Sequence, residues 1–166
     1  MELLSVFDNK GNVTDKIVVR GDKSVVLNDN EHIGVGVIFI ENDKEEFLIQ
    51  RTSIDKGGEY SSTGGHINSE ETPANSIKRE VYEELGVDIS NENVIELGYL
   101  LYDMPIRFMF YLKKNIDINE LILQDDEVES IQYMKIDKIK ELINKGLMLE
   151  SHARIFERVL EYRSGR

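Results

Sequence analysis

The sequence contains no cysteine. Disulfides, thiolate metal sites and cysteine nucleophiles are therefore excluded. Bases are scarce: 20 Lys and Arg stand against 32 Asp and Glu, a formal charge of −12. Without a basic stripe, binding to nucleic acid through the phosphate backbone is disfavoured, and an anionic membrane surface is disfavoured for the same reason. A phosphate-bearing small molecule remains an admissible substrate if divalent cations stand between the two sets of negative charge. No segment approaches the roughly 20 apolar residues of a membrane span. The opening "MELLSVFDNKGN" lacks a basic region and a long apolar run, so it does not read as a signal peptide. The expectation is a cytoplasmic protein. There is no internal repeat, low-complexity tract or linker, and 166 residues suffice for one domain, residues 1–166, with a sizeable core.

What is present reads as alternating strands and helices. "LLSVFD", "NKGN" and "VTDKIVVR" form strand, turn and strand, placing N-terminal strands over residues 3–20. "GDKSVVLNDN" is loop-like. "HIGVGVIFIE" is a buried strand rich in β-branched residues, and the turn "NDKE" joins it to "EFLIQRT", so the two are expected to form a hairpin. "SIDKGGEYSSTGG" reads as a long polar, glycine-rich connection. A helix follows with Thr72 as N-cap, Pro73 at the first helical position and Gly86 just past the end. Two further strands flank Met104 and Pro105, "INELILQDD" is ambiguous, and "EVESIQYMKI" is a strand with Val128 out of phase. Two amphipathic helices close the chain over about residues 136–163. The fold class is α+β with a mixed sheet and three helices.

The helix after Thr72 carries an unusual charge. At about 100° per residue with Glu80 as origin, Ile77, Ala74, Val81 and Leu85 fall between about 60° and 140°, a narrow apolar stripe that must face the core. Glu83, Glu80 and Glu84 fall between about −60° and 40°, sharing one face along the edge of that stripe. Neighbouring carboxylates repel, and bound metal is the simplest compensation. Hard oxygen donors without cysteine or a histidine pair favour Mg²⁺ or Mn²⁺ over Zn²⁺. The preceding "STGGH" is a glycine-rich turn that can bring backbone close to a metal or a phosphate. Arg79 lies near the acidic arc, where it can orient a glutamate.

The spacing is more specific than the charge. Gly65, Glu71, Arg79, Glu80, the aliphatic Val81, Glu83, Glu84, Gly86 and Val87 fill every position of G-x5-E-x7-R-E-U-x-E-E-x-G-U, where U is a bulky aliphatic. In this motif, over residues 65–87, and in the order of its surrounding elements the chain resembles the Nudix hydrolase family. The resemblance implies an α/β/α sandwich around a mixed sheet and hydrolysis of a diphosphate linkage, usually in a nucleoside diphosphate joined to another group. It places Glu80, Glu83 and Glu84 at metal-ligand positions and the Gly65 backbone at a carbonyl-ligand position. Glu71 and Arg79 match a pair that braces loop and helix. Asn68 and Glu70 depart from residues common in the family, outside the minimal motif, and Tyr60 stands where relatives often have Trp.

The implied mechanism is water attack on a diphosphate phosphorus, assisted by two or three Mg²⁺ or Mn²⁺ ions. Glu83, Glu84 and Arg79 would carry the chemistry with a proton acceptor from a later loop or strand, for which "QDDEVESIQY" offers Asp125, Asp126, Glu127 and Glu129; Glu127 is favoured. Arg51, His66 and Arg107 are candidate substrate contacts, each weighed against plain surface placement. Tyr60, Tyr99, Tyr102 and Phe108 could stack a ring, although strand aromatics usually belong to cores. Two other functions compete. One is a nucleotide-sensing module, which would not need the full carboxylate set. The other is an isopentenyl-diphosphate-type isomerase, a branch loosely resembled by "FDNKGNVTDK" and "STGGH". That branch places a cysteine at the reacting carbon, and this chain has none. The expected partner is a small-molecule diphosphate, with a possible homodimer built on the N-terminal "MELLSVF" strand.

Overall fold

The computed structural model describes residues 2–123 and 128–165. Among these described residues, nine strands and three α-helices follow in the order β1 (Leu3–Phe7), β2 (Val13–Val19), β3 (His32–Glu41), β4 (Glu46–Thr52), β5 (Tyr60–Ser61), β6 (Thr63–His66), α1 (Pro73–Leu85), β7 (Ile95–Leu101), β8 (Ile106–Lys113), β9 (Val128–Lys135), α2 (Ile136–Asn144) and α3 (Glu150–Ser164). The ambiguous stretch after Asp117 contains one short 3-10 turn, Ile118–Glu120. The fold is α+β with a mixed sheet, as the sequence indicates.

The sheet is buried on both faces, and β3 shows why. Successive side chains of a strand point to opposite faces. Val37 and Phe39 therefore pack with Phe47, Met109, Ile155, Phe156 and Val159 on the α2/α3 side. Ile38 and Ile40 pack with Ile77, Val81, Leu85 and Phe110 on the α1 side. The apolar stripe of α1 thus faces the core as its wheel requires. Its ends are also as the local chemistry dictates: the Thr72 side chain accepts from the Asn75 amide, and Gly86 closes the helix at φ 72°.

The expected β3–β4 hairpin is realised only at its turn. The two strands pair at one position, Glu41 with Phe47, and then diverge. Beyond the turn β3 lies between β6, antiparallel, and β8, parallel over Gly34–Glu41. β4 instead pairs with β9 and β5. Each strand thus takes its two main partners from further along the chain. The polar 53–65 connection also departs from its reading as loop. It holds a 3-10 turn, Ile54–Lys56, and then β5 and β6, which cross from β4 to β3. The out-of-phase Val128 marks a bulge: Thr52 pairs with Val128 while Arg51 pairs with Ser130, which leaves Glu129 as the extra residue.

β1 is bonded to β2 along one edge and meets β3 at Val6 and Phe7, with Leu4 bridging Asn68. Its edges are therefore met within the chain, which itself supplies the sheet partner that this strand needs. Among the described residues no helix is long and apolar enough to cross a membrane.

Candidate active site

The divergence of β3 and β4 opens a cavity of about 350 Å³, bridged by the β5–β6 crossing. Val35 of β3, Gln50 and Thr52 of β4, Ser61, Ser62, Gly64, Gly65 and His66 of the crossing, Lys56, Glu84 of α1, and Leu149 and His152 at the start of α3 line it. The helix with the glutamates thus enters from one layer and α3 from the other.

Arg79 is the hub of the α1 side. Its Nε and Nη2 donate to the two oxygens of Glu71 at 2.7 and 3.1 Å, a bidentate pair. Nη2 also donates to the His66 carbonyl at 3.1 Å, and Nη1 donates to Glu80 at 3.0 Å and Glu83 at 2.9 Å. Glu71 in turn accepts from the Asn68 amide at 3.0 Å. The hydrogen bond to Glu71 is the largest of the effects that hold the guanidinium above its ordinary pKa, with Glu80 and Glu83 adding to it. Loop, β6 and helix are therefore tied through one side chain.

The glutamates divide by burial. Glu84 is buried against the cavity, Glu80 is mostly covered, and the Glu83 side chain is half exposed. Among the described residues no three acidic or imidazole side chains converge closely enough to hold a metal ion. The sequence reading assigned the compensation of this acidic face to metal, whereas here Arg79 neutralises Glu80 and Glu83. The donors still fit a hard divalent cation. All are oxygens, and Mg²⁺ commonly takes only one or two carboxylates, completing its shell with water and substrate phosphate. Gly65 supports the fit. A Cβ there would stand 2.1 Å from the Glu80 carboxyl carbon, so only glycine lets that carboxylate lie against the β6 backbone.

The other sequence candidates scatter. His66 lines the cavity, with its pKa lowered chiefly by burial. Arg51 braces the connection instead, donating to the Gly58 carbonyl at 2.8 Å and lying 5.1 Å from the Tyr60 ring centre. Arg107 is half-buried rather than solvent-exposed, bonded to the Tyr102 and Pro105 carbonyls. Glu127, with Asp125 and Asp126, lies outside the described residues; Glu129 is exposed on its bulge.

Sequence reasoning missed Gln50, Lys56 and above all His152. The signal for the histidine was present: Leu149, His152, Phe156 and Val159 recur at helical spacing, so a titratable ring occupies a slot in an apolar stripe. Its Nδ1 accepts from the Ser62 amide at 3.0 Å. Burial, with the charge of Arg107, pushes its pKa down to about 4. An unfolded chain protonates this ring near the usual value of about 6.5, and the folded one resists. The ring's contribution to stability is therefore complete above that pH and is lost as pH falls toward 4. The stability gap between wild type and His152→Gln should be constant above neutrality and shrink over this window in urea titrations. A gap that ignores pH would contradict the assignment.

A curled mixed sheet between helical layers, with a glycine-rich turn feeding a glutamate-rich helix, defines a Nudix-type fold and site. The NUDIX domain model matches residues 30–159, and the chain belongs to that family. An uncharacterized Nudix hydrolase of Listeria innocua is 27% identical over 151 residues, covering 88% of this chain and 87% of that protein. The crystal structure of DR0079 from Deinococcus radiodurans superposes with a TM-score of 0.77 at 19% identity, covering 95% of this chain and 98% of that one. The NUDIX domain of Shewanella oneidensis NrtR, solved with ADP ribose, gives a TM-score of 0.66 at 12% identity, covering 86% and 94%.

Proposed function

We propose that the protein is a divalent-metal-dependent hydrolase that cleaves a diphosphate linkage, in a nucleoside diphosphate or a derivative joined to another group. The observation that carries the reading is the meeting of Glu84, Gly65 and His66 at one cavity, with Glu80 against Gly65 and Arg79 behind it. Glu80, Glu83, Glu84 and the Gly65 carbonyl would hold Mg²⁺ or Mn²⁺. Bound there, the metal supplies charge neutralisation of the diphosphate and a more acidic attacking water. Glu84 is buried at the cavity wall, where its carboxylate would meet the metal and the diphosphate. Arg79 fixes Glu80 and Glu83 and would release them in part as cation charge arrives. Glu127 is retained as the residue that accepts the water's proton.

Nucleotide-derived diphosphates suit the NrtR domain's ADP ribose and the NAD-capped RNA hydrolase of Pseudomonas aeruginosa, 29% identical over 98 residues that cover 59% of this chain and 34% of that protein, as neighbours. The test is a panel of nucleoside diphosphates, sugar nucleotides, dinucleotides and isopentenyl diphosphate, run with Mg²⁺, Mn²⁺ and excess chelator. Metal-dependent release of phosphate or a nucleotide product is expected. Undiminished activity in chelator, or deuterium uptake into isopentenyl diphosphate in place of any hydrolysis, would overturn the proposal.

A further inference from the structure

Among the described residues, only Glu84 of the side chains lining the cavity is acidic, in a chain where acids outnumber bases 32 to 20. The remaining polar groups are amide, hydroxyl, imidazole and the Lys56 ammonium. The α3 wall adds two features. First, His152 Nδ1 is an acceptor for the Ser62 amide, so the neutral ring carries its proton on Nε2 and offers a donor there. Second, the register aligns His66, Val35 and Arg107 side by side across β6, β3 and β8. In such a row side chains share a face: His66 and Val35 line the cavity, and Arg107 stands next to Val35 just outside that lining.

Arg107 is the unexpected member. Its guanidinium is half-buried, is bonded to backbone carbonyls of Tyr102 and Pro105, and has no carboxylate within ion-pair distance among the described residues. Burial lowers its pKa first, with Asp103 opposing from further off. The Tyr102 ring lies 5.4 Å from Arg107 and 4.4 Å from Arg154 of α3, so two guanidinium groups bracket this wall. Half-burying a cation without a carboxylate costs desolvation that the two carbonyls and the Tyr102 ring offset in part, and an anion would offset it further. At the Glu84 end the substrate's charge would be met by metal; at this end it would be met by protein.

We propose that His152 and Arg107 form a subsite for an unesterified terminal phosphate, so that the preferred substrates end in a free phosphate rather than in a neutral cap such as a sugar. In this arrangement the His152 Nε2–H donates to a phosphate oxygen, and Arg107 exchanges a backbone carbonyl for a second oxygen. The inference rests on the hydrolase reading for its substrate class and not for the anion site itself.

The experiment therefore begins without metal. Inorganic pyrophosphate is titrated calorimetrically into the chelator-treated protein, into Arg107→Met and into His152→Asn. The asparagine keeps an acceptor for the Ser62 amide and removes the far donor. Wild type should bind, and each variant should bind about 10-fold or more weakly, the effect of losing a charged or buried hydrogen bond, while thermal melts show both variants folded. Wild type failing to bind at millimolar pyrophosphate, or folded variants binding as wild type does, overturns the subsite. Steady-state kinetics with metal form the second arm. ADP should be favoured over ADP-ribose through KM, and Arg107→Met should narrow that preference; a preference for ADP-ribose overturns the substrate assignment. Metal-dependent hydrolysis with pyrophosphate binding indifferent to both substitutions removes the subsite and leaves the hydrolase. Binding lost in the variants, with no diphosphate hydrolysed by wild type, removes the hydrolase and leaves the anion site.

Discussion

Glu84→Gln should lower diphosphate hydrolysis by about two to three orders of magnitude, the usual cost of losing one preorganised group that meets developing charge. Glutamine keeps the shape, and the position is buried at the cavity wall beside Gly65. The fold should therefore persist, because glutamine conserves the volume of the buried side chain. Glu83→Gln should also be severely impaired, although its side chain is half exposed and held by Arg79 at 2.9 Å. The two substitutions separate by a second readout. Metal that binds only the native state raises its stability by mass action, so Mn²⁺ at millimolar concentration should raise the wild-type melting temperature and should raise that of Glu84→Gln far less. Near-wild-type rates in both variants would remove the glutamate helix from the chemistry. Equal metal shifts in wild type and variant would remove Glu84 from the metal site.

Arg163→Met should destabilise the protein by about 3–5 kcal/mol, the range for breaking a buried ion pair from one side. Glu41, at the end of β3, is 1% exposed. Its oxygens accept from Arg163 Nε at 2.8 Å and Nη2 at 2.7 Å, and from the Tyr111 hydroxyl at 2.5 Å. The Arg163 guanidinium also lies 5.6 Å from the Phe47 ring centre. The cluster pins the end of α3 to the β3–β4 turn. That is the point from which the two strands diverge to form the cavity that α3 closes. Without the arginine, a carboxylate is left in a dry interior. The double variant Glu41→Gln/Arg163→Met should recover much of the loss, because no charge is then buried. Denaturant midpoints measure both; a cost below about 1 kcal/mol for Arg163→Met, as for an exposed pair, or a double variant no better than the single one, would refute the clamp.

The α1 helix was legible residue by residue. A threonine hydroxyl caps its own helix three residues on, proline tolerates only the first turn, and glycine alone takes φ 72° cheaply. These are interactions between neighbours in sequence, and so is the helical spacing of Ile77, Val81 and Leu85. The motif residues followed from spacing alone. The hairpin failed for the opposite reason. A tight turn between two apolar strands says that they reverse, and says nothing of how far they stay together. Val35 pairs with His66 and Arg107, and Gln50 with Ser61 and Ile131, so that each strand has a hydrogen-bonded neighbour on both edges.

By itself the sequence determined the chemistry of the side chains: no thiol, three carboxylates on one helical face, and a glycine where a carboxylate must approach the backbone. It also determined the α+β class through its strand and helix periods. Only the tertiary structure decided that Arg79 would grip Glu71, Glu80 and Glu83 together, and that β3 and β4 would part to make a cavity. Only it brought His152, 90 residues after Ser62, to receive that serine's amide. The physical reason is range. Caps, turns and helix faces are set by residues within four positions of one another. A cavity wall is set by which distant strands and helices bury the most surface, and that choice is made by the whole chain at once.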